Sequence, residues 1–108
     1  MAKRYYETHR HYESVVVFKP TLSDEELKGR LEDIGVFIDK NGGKVLSVEE
    51  WGIRQLAYPV KGFSHGRYVV FRISSDNSQL TNELDFQYKI SEDIIRWLNF
   101  KQESKDVK

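Results

Sequence analysis

The order in which hydrophobic periodicity changes along this chain is the feature that most limits its fold. Six segments follow one another as strand, helix, strand, strand, helix and strand. That order predicts an α+β ferredoxin-like fold, a split βαβ (β-α-β-β-α-β) with a four-stranded antiparallel sheet and two helices on one face. The other face of the sheet is then expected to be left uncovered by this chain. At 108 residues the chain can build one core, so we expect a single domain at 10–101 between a polar arm (1–9) and a polar tail (102–108).

The first helix has clear start and stop signals. Ser23 followed by Glu26 is a capping box, which predicts a helix beginning at Asp24. Apolar residues then recur at steps of four, three and four, and they form one stripe: Leu27, Leu31, Ile34 and Ile38. Asn41-Gly42-Gly43 supplies the expected end of the helix.

The second helix is shorter. Asp76-Asn77-Ser78 offers a cap, and the helix is predicted to run to about Lys89. Its apolar stripe consists of Leu80, Leu84 and Tyr88. Both stripes must face the sheet, so we expect their central members in the core.

The strands are marked by β-branched and aromatic residues between turn signals. We predict them at 11–18, 44–58, 67–74 and 94–101, with a loop over 59–66. Gly52 indicates a bulge in the second strand, and Pro59 is expected to end that strand because proline cannot donate to a sheet ladder.

Charge is balanced overall but unevenly distributed. The chain has 17 basic and 17 acidic residues. The first helix region (23–43) carries six acidic and three basic residues, and the second (76–95) carries five and one. The middle strands (44–75) carry five basic and two acidic residues. The predicted fold therefore has an acidic helical side and basic strands, which is typical of a nucleic-acid-binding sheet or of an ordinary solvated helix face.

Several classes of chemistry find no support in the residues. The chain lacks cysteine, which excludes disulfides, thiol catalysis and thiolate metal sites. The three histidines, His9, His11 and His65, are expected to be exposed rather than to bind a metal. No phosphate-binding glycine loop and no catalytic triad motif is present, and the longest apolar run is too short to cross a membrane. We therefore expect neither an enzyme nor a cofactor, and the lack of cysteine suits the cytosol.

An RNA-recognition motif shares the predicted order of elements. Its third strand stacks bases on aromatic residues of the uncovered sheet face. Here Tyr68 and Phe71 are three residues apart and must point to opposite faces, so one of them is expected in the core. Apolar residues of the first strand, such as Val15 and Val17, instead suggest that a protein partner covers part of the uncovered face.

A set of short motifs resembles one known family. It contains Trp51-Gly52-Ile53-Arg54-Gln55-Leu56-Ala57-Tyr58-Pro59, Tyr12-Glu13, Gly43-Lys44-Val45, Gly66-Arg67-Tyr68 and Ile95-Arg96-Trp97. In this order and over about residues 10–101, the motifs resemble protein six of the small ribosomal subunit in bacteria. The resemblance implies a structural, cytoplasmic protein of the ribosome. It also implies binding of small-subunit ribosomal RNA in the central domain, together with protein eighteen of the same subunit.

Carried over by position, the resemblance implies five RNA-binding residues: Arg10, Tyr12, Arg54, Arg96 and Lys101. Gln55 stands where that family often has a second basic residue, which weakens the contact expected there. Each candidate also has a structural interpretation. Tyr12 suits core packing, Arg54 could pair with Glu49 or Glu50, and Arg96 could be solvated or paired.

The alternative function is a ferredoxin-like protein-interaction or regulatory domain that never contacts RNA. An RNA-recognition-motif-like binder of single-stranded RNA is the further alternative.

Arg96 lies between Ile95 and Trp97, so its side chain is expected on the face opposite to both.

Overall fold

The computed structural model describes residues 10–102. Its elements are β1 (Arg10–Phe18), α1 (Asp24–Lys40), β2 (Gly43–Val60), β3 (Phe63–Ser75), α2 (Leu80–Lys89) and β4 (Ile94–Gln102). The four strands form one sheet in the order β2-β3-β1-β4, and every neighbouring pair is antiparallel. This is the predicted ferredoxin-like fold. The predicted arm (1–9) lies outside the described residues, and so does the tail beyond Gln102.

The caps of α1 form as the sequence predicts. The Ser23 hydroxyl accepts a hydrogen bond from the Glu26 backbone N–H at 3.1 Å, and a Glu26 carboxylate oxygen accepts one from the Ser23 N–H at 3.0 Å. The helix ends at Lys40, and Gly42 follows with a φ of 86°. Because these signals are local, they act independently of the rest of the fold.

The core lies between the helices and the face of the sheet that we call the helix face. Leu27, Ile34 and Ile38 of α1 are buried there, and Leu31 is partly buried at the margin. All three predicted stripe residues of α2 are buried. Tyr88 donates to or accepts from Ser14 at 2.7 Å between the two hydroxyl oxygens, which fastens α2 to β1.

The start of α2 differs slightly from the predicted cap. The helix begins at Leu80, and its N-cap Gln79 makes no capping bond through its side chain. Instead the Asn77 side-chain oxygen accepts a hydrogen bond from the Gln79 N–H at 2.9 Å. Asn77 thus organises the turn before the helix.

The predicted loop at 59–66 is wrong. β2 continues through Pro59 to Val60, and only Lys61 and Gly62, with φ values of 50° and 84°, separate it from β3. Two residues with positive φ form the tight type of turn that matches the twist of a hairpin. Pro59 is tolerated within β2 because β2 is an edge strand, where a missing N–H costs no ladder bond.

The predicted bulge at Gly52 is confirmed. The register of β2 against β3 shifts between Glu50 and Gly52, and Gly52 has a φ of 85°. Two further shifts occur on β2, between Val45 and Ser47 and between Gln55 and Val60. The last of these arches the end of the hairpin away from the plane of the sheet.

The arched end of the hairpin, residues 56–63, folds over the second sheet face, which we call the open face. Leu56 is 5% exposed and packs with Val17 and Ile95 in a second, smaller apolar cluster. Val60 and Phe63 pack against it. The expectation that this chain leaves the open face uncovered is therefore wrong for the hairpin end of the sheet, and Val17 is covered by the chain itself.

Candidate nucleic-acid interface

The arginines of the described residues divide into two groups by their partners. Three of them form ion pairs with carboxylates: Arg30 with Asp93, Arg67 with Asp24, and Arg72 with Glu13 and Glu49. The other three form no such pair within residues 10–102: Arg10, Arg54 and Arg96. These are the three arginines that the sequence proposes for RNA.

Arg54 lies on the open face beside an aromatic stack. Its guanidinium carbon is 5.1 Å from the centroid of the Trp51 ring, and the Trp51 ring stacks on Tyr68 at 6.5 Å between centroids. Trp51 is 42% exposed, so the cation is held over a ring that remains in contact with solvent. The bulge at Gly52 brings Trp51 and Arg54 to this position.

The pairing of Arg54 with Glu49 or Glu50 is not found. Glu49 accepts hydrogen bonds from Arg72 at 2.6 Å and from the Trp51 indole N–H at 3.2 Å. The bond from Trp51, followed by the bond from Arg72, lowers the pKa of the Glu49 carboxyl. Because Glu49 is engaged by other residues, Arg54 keeps its charge available.

Arg96 lies on the open face at the opposite edge of the sheet. Its guanidinium carbon is 5.4 Å from the ring centroid of Tyr58, which is 57% exposed. Tyr58 belongs to the far strand β2 and reaches Arg96 only because the hairpin end crosses the open face. Arg96 borders a hollow of about 300 Å³ that Val15, Ala57 and Leu98 also line.

The prediction that Arg96 lies on the face opposite to both of its neighbours is confirmed for Trp97 and wrong for Ile95. Trp97 packs against the core on the helix face, as expected. Ile95, however, packs with Val17 on the open face. The register of β4 against β1 shifts at this point, because Val17 pairs with Arg96 but Phe18 pairs with Ile94. The bulge places Ile95 and Arg96 on the same face.

An ion pair between Arg96 and the preceding turn is not found either. Asp93 bonds to Lys19 and Arg30, with a Lys19 Nζ to Asp93 oxygen distance of 3.1 Å. The hydrogen bond from Arg30 is the main cause that lowers the pKa of the Asp93 carboxyl, and Lys19 adds to it, although burial acts in the opposite direction. Asp93 ties the turn to α1 and to the end of β1, and Arg96 has no carboxylate partner among residues 10–102.

Arg10, Tyr12 and Lys101 lie near the other end of the sheet. Tyr12 pairs with Lys101 across β1 and β4, so both side chains are on the helix face. Arg10 donates a hydrogen bond to the Asp76 carbonyl at 3.0 Å. Tyr12 is 5% exposed and belongs to the main core, which gives its ring a packing role.

The five predicted residues therefore form two groups rather than one cluster. Arg54 and Arg96 lie at the hairpin end of the open face on the two edge strands, which are three strand spacings or about 14 Å apart across the sheet. Arg10, Tyr12 and Lys101 belong to the helix face near the opposite end. Sequence reasoning did not select Trp51 and Tyr58 as site residues, because their exposure depends on the bulge and on the arched hairpin.

Tyr68 and Phe71 of β3 lie on opposite faces of the sheet, as predicted. Phe71 is 1% exposed and packs in the main core, whereas Tyr68 is partly buried beneath the open-face stack. An RNA-recognition motif presents flat, exposed rings on this strand. This chain offers Trp51 and Tyr58 of β2 instead, each already in contact with an arginine.

Within residues 10–102 no three or more acidic or histidine side chains are grouped so that they could hold a metal ion. Over the same range, no helix is both long enough and apolar enough to cross a membrane. His11 and His65 are exposed, as predicted, and His65 contacts Ser64 at 3.0 Å. His9 lies outside the described residues.

These features define a ferredoxin-like α+β domain whose open face holds Arg54 and Arg96 over exposed rings, with no carboxylate partner for either within the described part of the chain. The model of the family "Ribosomal protein S6" matches residues 11–101, and the chain belongs to that family. It is thus a ribosomal protein of the small subunit, located in the cytoplasmic ribosome, and the family is a structural, non-enzymatic one. The resemblance read from the sequence motifs is confirmed.

Individual relatives agree with this assignment. The small ribosomal subunit protein bS6 of Aquifex aeolicus is 51% identical over 105 residues, which cover 97% of this chain and 96% of that protein. The bS6 protein of Nitratiruptor is 44% identical, with 89% and 74% covered. The crystal structure of 30S ribosomal protein S6 from Thermotoga maritima superposes with a TM-score of 0.83 at 31% identity and covers 92% of each chain.

Proposed function

We propose that this chain binds small-subunit ribosomal RNA of the central domain, together with protein eighteen of the same subunit, during assembly. The observation that carries the proposal is the division of the arginines. Arg54 and Arg96 hold their charge on the open face without a carboxylate partner within residues 10–102, while Arg30, Arg67 and Arg72 are consumed by internal ion pairs. An uncompensated guanidinium suits a phosphate, which it can contact through two parallel hydrogen bonds.

The aromatic rings also restrict the conformations of these arginine side chains. A guanidinium that rests on a ring loses little rotamer freedom when it binds, because the ring already restricts it. Trp51 and Tyr58 thereby preorganise Arg54 and Arg96 toward the solvent side of the sheet. Preorganisation lowers the entropic cost of the contact.

Arg10 and Lys101 provide a second, separate contact in this proposal. Lys101 is exposed, and Arg10 is partly exposed with its guanidinium on a backbone carbonyl. Tyr12 has no part in the proposed surface because its ring is buried. The prediction of a Tyr12 contact with RNA therefore lacks support from its position.

The balanced charge favours sharing the site with a second protein. Affinity for RNA grows with the number of phosphates that a protein neutralises. A chain with 17 basic and 17 acidic residues, whose acidic residues are concentrated on the helices, brings few such contacts. A partner that adds its own cations supplies the remainder.

Reconstitution of the small subunit tests the proposal. The wild-type chain should sediment with the subunit in a sucrose gradient at low and moderate salt. The double variant Arg54→Ala/Arg96→Ala should leave the subunit at a lower salt concentration. A double variant of the helical side, Lys28→Ala/Lys40→Ala, removes the same charge and should behave as the wild type. Equal salt sensitivity of the two double variants would refute an RNA contact at the open face.

A further inference from the structure

The two outer edges of the sheet differ in how they are protected against a further strand. β2 carries Pro59, a bulge with positive φ at Gly52, three register shifts and the acidic pair Glu49-Glu50. Each of these devices is known to blunt a sheet edge. An additional strand would find no regular ladder on β2.

β4 has fewer of these devices, namely the charges of Arg96 and Lys101 and the register shift at Ile95. After the bulge at Ile95, residues 96–102 pair with β1 in unbroken register from Val17 to His11. No proline interrupts this stretch. In an antiparallel strand alternate residues direct their N–H and C=O groups to the side away from the partner. Within residues 10–102 no strand covers that side of β4.

Exposed apolar side chains flank the free edge of β4 on both faces. Leu98 (60% exposed) and Phe100 (38% exposed) lie on the open face, paired with Val15 and Glu13 of β1. Phe86 of α2, 64% exposed, lies on the helix side. A groove of about 560 Å³ runs along the edge, and its wall includes Phe86, Trp97 and Leu98. Successive side chains of a strand laid on this edge would alternate between the two faces, so every second one could contact Leu98 and Phe100.

The charges at this edge are mostly positive. Lys89 lines the groove, and Arg96 and Lys101 belong to the regular part of β4. The one carboxylate that lines the groove, Asp85, accepts hydrogen bonds from Trp97 at 3.1 Å and from Asn99 at 2.7 Å. A second copy of β4 would bring its own Arg96 and Lys101 to an edge that already carries these cations, so the like charges would repel each other. Acidic residues on the incoming strand would be attracted.

We infer that the free edge of β4 binds an extended segment of another protein, which adds a fifth strand with apolar residues at alternate positions and acidic residues between them. Main-chain hydrogen bonds to residues 96–102 supply the register. Leu98 and Phe100 contact the apolar side chains of the incoming strand on the open face, and Lys89 and Lys101 attract its acidic side chains on the helix side. The inference does not require RNA binding by Arg54 or Arg96, so each can fail without the other.

Nuclear magnetic resonance of the full chain with a synthetic peptide tests this inference. The probe is a ten-residue peptide with valine at alternate positions and glutamate or threonine between them. We expect chemical-shift changes and slower amide exchange at residues 96–102, while the amides of β2 stay unchanged. A peptide with lysine in place of glutamate should bind more weakly.

Two matched variants locate the binding site. Leu98→Lys adds a protecting charge to the β4 edge and should weaken peptide binding at least about tenfold, or 1.4 kcal/mol. Ile53→Lys, on β2 and 58% exposed, resembles it in size and exposure and should bind as the wild type. Thermal melting of both variants establishes that they are folded.

Three results would overturn the inference. The peptide could perturb β2 amides or none, the free chain could dimerise through β4, or a ten-nucleotide oligouridine could produce the same pattern at residues 96–102 as the peptide. The first result removes the site, the second makes a second copy the occupant, and the third makes it a nucleic-acid surface.

Discussion

At the scale of single residues, the partners of each charged side chain decide its role. Arg96 is exposed and lies three residues after Asp93 in the sequence, whereas Arg30 is partly exposed and belongs to α1. Only Arg30 bonds to Asp93, and Arg96 contacts the ring of Tyr58. The ion-paired arginines stabilise the fold. The arginines that lie over aromatic rings contribute little to the stability of the fold, so their removal should change it little.

Replacement of Arg96 by alanine therefore separates binding from stability. We expect Arg96→Ala to leave the melting temperature nearly unchanged, because the lost contact with Tyr58 is exposed. The slope of log affinity against log salt for RNA, measured with the partner protein present, should fall by about one unit if Arg96 contacts one phosphate. Arg67→Ala serves as the control, since it breaks the ion pair with Asp24 and the bond to Leu22 and should lower stability without changing the slope. An unchanged slope in Arg96→Ala removes this residue from the site.

Replacement of Asp93 by alanine tests the ion pairs at the end of β1. At pH 7 we expect a loss of about 1.5–3 kcal/mol in the free energy of unfolding, because the carboxylate bonds to Arg30 and Lys19. Glu50→Ala, at an exposed position on β2, should cost little.

The pH dependence of the Asp93 variant has a defined sign. The pKa of Asp93 is lowered in the folded protein, so its stabilising contribution is present above the unfolded pKa of about 3.9 and disappears as the pH falls through the lower folded-state value. The stability difference between Asp93→Ala and wild type should therefore shrink in acid. Urea unfolding at pH 7, 4 and 2.5 measures it, and a difference that is constant with pH would assign the loss to packing instead of charge.

At the scale of the elements, each helix is held by its apolar stripe. Leu84→Ala should cost about 2–5 kcal/mol, because Leu84 is 1% exposed in the centre of α2. Leu98→Ala, at 60% exposure, is the control and should cost far less. Leu31 was expected to match Leu84, but its partial burial places its cost below that range. Denaturant midpoints measure all three, and a loss under about 1 kcal/mol for Leu84→Ala would contradict the packing of α2.

Two glycines with open space around them should respond in opposite directions. A Cβ added at Gly29 or at Gly62 meets no atom within 4 Å, so only the backbone decides the outcome. Gly62→Ala should destabilise the hairpin by about 1 kcal/mol, because its φ of 84° is unfavourable for alanine. Gly29→Ala, in the interior of α1, should stabilise by about 0.5–1 kcal/mol. Thermal melting distinguishes the two, and destabilisation by both would mean that contacts rather than backbone conformation dominate.

At the scale of the whole molecule, the acidic helices and the open face with Arg54 and Arg96 lie on opposite sides of one sheet. This polarity orients the proposed contact with RNA, since phosphates are repelled by the first turn of α1 with Asp24, Glu25 and Glu26. The neutral total charge limits what the chain can achieve alone.

We therefore expect the isolated chain to bind ribosomal RNA weakly and the mixture with protein eighteen to bind it strongly. The second protein supplies more phosphate contacts and a more rigid joint surface. Filter binding with each protein alone and with both measures the effect at a fixed salt concentration. Tight, sequence-specific binding by this chain alone would contradict the shared site and favour the single-stranded RNA binder.

The sequence by itself determined the order of the elements, the caps of α1, both helix stripes and the bulge at Gly52. These features depend on residues close together in the chain, where backbone preference and periodicity act locally. The family could be recognised for a similar reason, because its motifs are short and each lies within one element.

Only the tertiary structure decided the path of the hairpin end and the partners of the arginines. Val60 and Phe63 flank a two-residue turn. The composition of residues 59–66, in contrast, is more typical of a loop. The fold of this hairpin over the open face brings Tyr58 to Arg96, 38 positions apart in the chain, and the bulge at Ile95 turns Arg96 to the same side. Ion pairs such as Arg30 with Asp93 form between distant segments. Such contacts depend on how whole elements pack, so the local periodicity of the sequence does not specify them.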